Sequence, residues 1–255
     1  MFTSKGTYAP VGLFSIAHII AVVVCVVLIA LVAVLTRKMN SKTYFKLLKI
    51  FAIMLTIMEL FKIVWNLAQG YTHVNRWVPL YFCSLFIYSL WFATAKNNFV
   101  KNLGLAYIAC ASIVAGAIFI VFPTTSFSDY PLFHFQCIYS MLFHSIMVYS
   151  GVMLFVTRAF KVDLRSVGRY CIYCIIFMSA AIALNVFSKG NLMFLADPGN
   201  IPLPFLWNIY NFSKVVYTLT IAIAHMLLGF VVFGVYKGAE LIAQSSEEES
   251  EFKDV

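Results

Sequence analysis

The chain has 255 residues, of which 62% are hydrophobic, 17% aromatic and only 11% charged, with a formal net charge of +8. No water-soluble domain of this length could present that composition to solvent, so the chain belongs in a bilayer. The positive balance is not gathered into a basic patch interleaved with exposed aromatics, which excludes a nucleic-acid surface.

A helix needs roughly 20 apolar residues to cross about 30 Å of hydrocarbon. The sequence predicts seven such spans, at 12–36, 46–69, 77–95, 102–122, 132–157, 167–188 and 205–236. The apolar stretch of the first is too long for a cleaved signal peptide, and no small-residue cleavage site follows it, so it is expected to be a true span. The fourth carries Ala111, Ser112, Ala115 and Gly116 at four-residue spacing, where small side chains let a neighbouring helix come close. The expected fold is therefore an all-α, polytopic membrane bundle of seven transmembrane spans, a single domain over 1–240. An acidic, disordered tail over 241–255 ends in SSEEESEFKDV.

Orientation follows from the basic residues, which accumulate on the cytoplasmic side. Arg37, Lys38, Lys42, Lys46, Lys49, Lys96, Lys101, Arg158, Lys161, Arg165, Arg169, Lys237 and Lys253 fall in the odd-numbered loops, at their helix ends or in the tail. Only Lys5, Arg76 and Lys189 fall on the opposite side, and Lys62 and Lys214 are left inside the membrane. An N-terminus outside, a cytoplasmic C-terminus and a multi-pass protein of the cell membrane are expected. All six cysteines lie within predicted spans, so they do not read as a disulfide framework. Cys171 and Cys174 have CxxC spacing but lie mid-helix, without a second pair for a metal.

Ionisable groups in hydrocarbon are costly and usually face a bundle interior or a wet cavity. At 1.5 Å per residue, Cys83 lies about 9 Å below Trp77, His18 about 9 Å deep, Lys62 about 10 Å, Lys214 about 14 Å, Glu59 about 15 Å, His144 about 18 Å and His134 about 3 Å. Most share the outer half of the membrane. Glu59 and Lys62 are three apart on one helix face, and Glu59 and Lys214 share a depth, which predicts a buried ion pair of Glu59 with Lys214. The remaining lysine, beside Asn208 and Asn211, suits a phosphate or carboxylate.

Cys83 has three readings from the residues alone. It is a small apolar filler, a nucleophile, or a metal ligand with His18, His134 and His144, although no i,i+4 pair or CxxC spacing supports the last. As a nucleophile it must become a thiolate, which apolar burial opposes, and six residues in from Trp77 it lies beyond reach of a helix dipole. It then needs a base, either His144 or His134.

Several segments resemble the YwaF-type integral membrane proteins of bacteria, which are related to the eukaryotic transmembrane protein 164 family. FSIAHII with His18, Glu59 followed by Trp65, VPLYFCSLF with Cys83, PLFHFQCIYSMLFHS with His134 and His144, and NVFSKGNLMFLADP with Asn185 and Asn191 occur in the family's order. Tyr81 stands where relatives commonly carry histidine, and Leu192 where an aromatic is usual. The resemblance implies a compact multi-span bundle and, from the eukaryotic branch, a lipid acyltransferase. Cys83 would be its nucleophile and His144, rather than His134, its base. His18, Glu59, Lys62, His134, Asn185, Asn191, Asn211 and Lys214 would then line the site for a membrane phospholipid, with no cofactor and no metal. The competing expectation is a transporter or binding protein for a small anionic or lipid solute, using the same polar cavity with 196–204 as a gate. A retinal-type receptor is disfavoured, because the third span has no acid to face a Schiff base on Lys214.

Overall fold

The computed structural model describes residues 1–199, 201 and 203–253, with side chains to residue 240. The described residues form helices and no strands: α1 (Ile16–Thr36), α2 (Ser41–Ala68), α3 (Val74–Trp77), α4 (Leu85–Ala93), α5 (Asn98–Tyr107), α6 (Ile113–Val121), α7 (Phe135–Val156), α8 (Leu164–Ser188), α9 (Pro204–Phe212) and α10 (Lys214–Lys253). A π-helical turn, Ile108–Ser112, joins α5 to α6, and a 3-10 turn, Leu192–Phe194, follows α8. Five stretches are long and apolar enough to cross a membrane: α1, the run Asn98–Val121, α7, α8 and the Lys214–Glu240 part of α10. The tail expected to be disordered over 241–255 is helical as far as Lys253, and residues 254 and 255 lie outside the described residues.

Short polar side chains begin the helices, each accepting N–H groups that have no partner in the first turn. Ser15 takes the N–H of His18, Asn40 that of Thr43, and Asn97 those of Phe99 and Val100. Asp163 and Ser166 close a reciprocal capping box on α8. α1 turns most of its apolar surface outward, with residues such as Val23, Val27 and Leu31 exposed, as a lipid-facing helix does. The core lies where α5 packs between α4 and α8 and α6 packs on α7. Its largest enclosed side chains are Tyr44, Tyr107, Tyr170, Tyr173 and Tyr217.

Small residues make these packings possible. A Cβ added to Gly104 would fall well inside contact with the backbone of Ser89 and Ala93, so α4 and α5 touch main chain to main chain there. Gly116 faces the backbone of His144 on α7, and Gly151 of α7 faces Ser112, as the small-residue spacing of the fourth span predicts.

Two predicted spans are not continuous helices. The third, expected to run from Trp77, stops there and resumes only at Leu85. Pro79 has no N–H to continue the ladder and pushes Val78 to extended geometry, with ψ 121°. The last, expected from 205, breaks at Ser213, whose φ of −163° and ψ of 123° are extended. Pro204 occupies the first turn of α9, where a missing N–H costs nothing.

Candidate functional site

Non-helical backbone at membrane depth survives only where protein or a cavity supplies its hydrogen bonds. The segment 78–84 meets that requirement through buried tyrosines of two other helices. Tyr107, at the end of α5, donates to the carbonyl of Phe82 at 2.5 Å, and Tyr173 of α8 donates to that of Leu85 at 2.7 Å. Cys83 lies between these two anchored carbonyls. Its own carbonyl accepts the N–H of Phe86, and Leu85 N–H reaches back to Tyr81.

This geometry overturns the position inferred for Cys83. The residue is not six positions into a helix but immediately before Ser84, the N-cap of α4, whose side chain makes no capping bond. The positive end of the α4 dipole is therefore at the cysteine, in the one turn where it stabilises a negative charge. Cys83 is a free cysteine and a half-buried residue. Removing the Tyr107 hydroxyl would leave the Phe82 carbonyl only a long bond of 3.3 Å from Leu85 N–H. Tyr107→Phe is expected to cost about 1–3 kcal/mol in detergent unfolding. Tyr8→Phe, at an exposed tyrosine, should leave the midpoint unchanged.

Glu59 is 5% exposed and makes its ion pair with Lys62, one turn along the same helix, at 2.5 Å, not with Lys214. Its second carboxylate oxygen accepts the Tyr139 hydroxyl of α7. Oε1 has no partner except Lys62. Lys62 also lies 5.6 Å from the centre of the Tyr139 ring, so one aromatic serves both charges. Lys214 is the first residue of α10 and is exposed, its ammonium 5.5 Å from the Tyr210 ring. Asn211 is exposed beside it.

The histidines divide by what their ring nitrogens do. His18 accepts from Phe14 N–H at Nδ1 and meets the Ile120 carbonyl at Nε2, clamping the start of α1 to the end of α6. His134 accepts from Gln136 N–H at the start of α7 and holds the Thr3 carbonyl with its other nitrogen. Both are fully occupied in structural bonds. His144 differs. Its Nδ1 meets the Ser140 carbonyl at 2.6 Å and its ring stacks on Phe119 at 3.6 Å, while Nε2 is buried without a partner. A carbonyl can only accept, so Nδ1 carries the proton and Nε2 presents a lone pair. It makes no hydrogen bond to Cys83.

His225 is a residue the sequence reasoning passed over. Its ring lies 4.5 Å from that of Phe82, the neighbour of Cys83, and its carbonyl accepts the Tyr170 hydroxyl at 2.6 Å. Its Nδ1 meets the Ile221 carbonyl at 2.8 Å. The signal was available, since a histidine inside the apolar run TIAIAHMLLGF is an intramembrane ionisable group.

Asn185 and Asn191 spend their amides on the loop after α8. Asn185 accepts Leu192 N–H and donates to its carbonyl, at 2.7 and 3.1 Å. Asn191 binds the main chain of Ala196 and Asp197 and the Asp197 carboxylate. Met193 and Phe194, with φ of 57° and 56°, are held in left-handed geometry, and Tyr217 bonds the Phe194 carbonyl. The loop's outer aromatic, Phe194, lies 6.3 Å from Tyr81, so the loop borders the Cys83 turn.

The model of the TMEM164 family matches residues 13–229, a range that holds Cys83, the Glu59–Lys62–Tyr139 cluster, His144 and His225. No curated protein and no solved structure matches the chain.

Proposed function

Since the chain belongs to the TMEM164 family, we propose that it moves a fatty acyl chain between membrane lipids through a thioester on Cys83. The observation that supports this reading is the position of Cys83 in the turn that leads into α4, at a helix break whose carbonyls are held by Tyr107 and Tyr173. A thiolate there gains the helix dipole that a cysteine within a continuous span would lack.

In the first half-reaction Sγ forms a bond to the ester carbonyl carbon of a phospholipid, and the carbon–oxygen bond to the glycerol breaks. His144 takes the thiol proton at Nε2 and returns it to the departing lysolipid oxygen. In the second half an acceptor hydroxyl attacks the thioester, the carbon–sulfur bond breaks, and the proton returns to the thiol. Sγ and Nε2 are not hydrogen-bonded, so a substrate oxygen or one water must bridge them during transfer. The chain would cross the cell membrane seven times with its start outside, α3, residues 78–84 and α4 together making the third crossing. Cys83 then lies in the outer half of the bilayer, beside the phospholipid that supplies the acyl chain.

The test is a covalent adduct. Purified protein given a phospholipid with a labelled acyl chain should gain the mass of that chain on the peptide carrying Cys83, and hydroxylamine should remove it. Cys83→Ser should abolish both the adduct and acyl exchange while leaving the yield of folded protein near that of the parent. His144→Gln should slow adduct formation at neutral pH and less so at high pH, where the thiol ionises without help. Full exchange activity in Cys83→Ser would refute the proposal.

A further inference from the structure

The connection after α7 contains an arginine in a conformation that usually belongs to glycine. Arg158 has φ +49°, its N–H bonds the Phe155 carbonyl, and Ala159 N–H reaches the Leu154 carbonyl five residues back. These are the bonds of a helix ending in a left-handed residue, a position glycine fills without steric cost and arginine does not. The side chain that results lines a cleft of about 590 Å³ between this connection and α10.

The walls of the cleft are aromatic and its rim is cationic. Phe155 and Tyr236 face each other with ring centres 5.8 Å apart, and Phe160 adds to the wall. Arg158 and Lys161 are exposed at the rim and make no ion pair among the described residues. Glu240, the acid in the lining, is already held by Lys237. Asp163, two residues beyond Lys161, is occupied in capping α8. Among the described residues the cleft thus keeps an excess of positive charge, with Glu240 shared between Lys237 and Lys161.

The place of the cleft decides its ligand. α7 and α10 are each apolar enough to cross a membrane, and their apolar runs end at Val156 and at Tyr236, just before Lys237, on either side of the cleft. Where two spans end, lipid phosphates lie. We infer that this cleft binds the headgroup phosphate of an anionic phospholipid. Arg158, whose planar fork suits phosphate oxygens, and Lys161 take the phosphate, and the glycerol end of the acyl chains rests on Phe155 and Tyr236. The site is separate from Cys83 and does not depend on the acyl-transfer reading.

The test uses the full chain in detergent, titrated with short-chain phosphatidylglycerol, phosphatidylcholine or inorganic phosphate and read by native mass spectrometry. Phosphatidylglycerol should bind more tightly than either of the others, and more weakly as salt is added. Arg158→Gly and Lys161→Ala should each weaken it about fivefold. Lys96→Ala, a charge assigned to the same membrane face, should not. Arg158→Gly relieves the left-handed strain, so its melting temperature without lipid should hold or rise, which separates lost binding from lost folding. Equal affinity for phosphatidylcholine, an unchanged affinity in the Arg158→Gly/Lys161→Ala double variant, or an equal loss in Lys96→Ala would overturn the inference. Binding of inorganic phosphate as tight as that of phosphatidylglycerol would replace the lipid by a soluble anion and overturn it equally.

Discussion

Replacing Glu59 with glutamine is expected to destabilise the folded protein by about 3–5 kcal/mol, the cost of leaving one partner of a buried ion pair alone. Lys62 would keep its charge in a site built around a carboxylate, and the Tyr139 hydroxyl would lose its charged acceptor. Lys62→Met is expected to cost less, because its side chain is 20% exposed and part of its charge is already shared with solvent or headgroups. The double variant Glu59→Gln/Lys62→Met should recover part of the loss, and Glu59→Gln/Lys214→Met should not. Denaturant unfolding in detergent across these variants measures the coupling directly. Strict additivity of Glu59 with Lys62 would show that the pair is not in contact.

The second large effect is expected at Gly104. Overpacking a core usually costs about 1–3 kcal/mol because flexible side chains give way. The atoms that a Cβ on Gly104 would meet are main-chain atoms of Ser89 and Ala93 and the Cβ of Phe92, which is fixed to the main chain, and none of them can give way without moving α4 as a body. Gly104→Ala is therefore expected to cost at least about 3 kcal/mol. It should also sharply reduce the monodisperse fraction in size exclusion, because the Cys83 turn loses its place against α5. Gly168→Ala is the contrast. Nothing lies within 4 Å of its Cβ position, and the gain in helix propensity should raise stability by about 0.5–1 kcal/mol. A wild-type midpoint for Gly104→Ala would mean that α4 and α5 are not packed as described.

Much of this architecture can be read from the residues, but orientation about each helix axis cannot. Hydropathy locates α1, α7 and α8, and the spacing of Ser112 and Gly116 foretells a close neighbour, because both depend only on local sequence. The i,i+3 spacing of Glu59 and Lys62 likewise contains their ion pair. Depth arithmetic then favoured Lys214 over Lys62, since height along the membrane says nothing about which way a side chain faces. The break at Ser213 puts Lys214 at the exposed start of a new helix. The same blindness grouped His18 and His134 with His144, although the first two are consumed in clamping chain segments and only His144 has a free buried nitrogen. Around Cys83 the apolar run concealed the interruption. Pro79 was visible, but the hydroxyls of Tyr107 and Tyr173 that make a break tolerable come from residues distant in the chain.

The π-helical turn at Ile108–Ser112 makes the fourth span tolerant of a kind of change that side-chain chemistry does not describe. Such a turn holds one residue more than an α-helical turn needs. Loss of one residue there would let the span close into uninterrupted α-helix while the parts before and after keep nearly the same rotation, because the wider turn only absorbs the surplus residue. Tyr107, which must point at the Cys83 turn, and Gly116, which must face α7, lie on opposite sides of the surplus residue. With one codon removed, the Tyr107 hydroxyl therefore keeps its aim at Phe82 and Gly116 its place against the backbone of His144. In this stretch of the gene a one-codon in-frame deletion is therefore expected to be better tolerated than the same deletion within α5 or α6, where each lost residue turns the two parts of the span by about 100°.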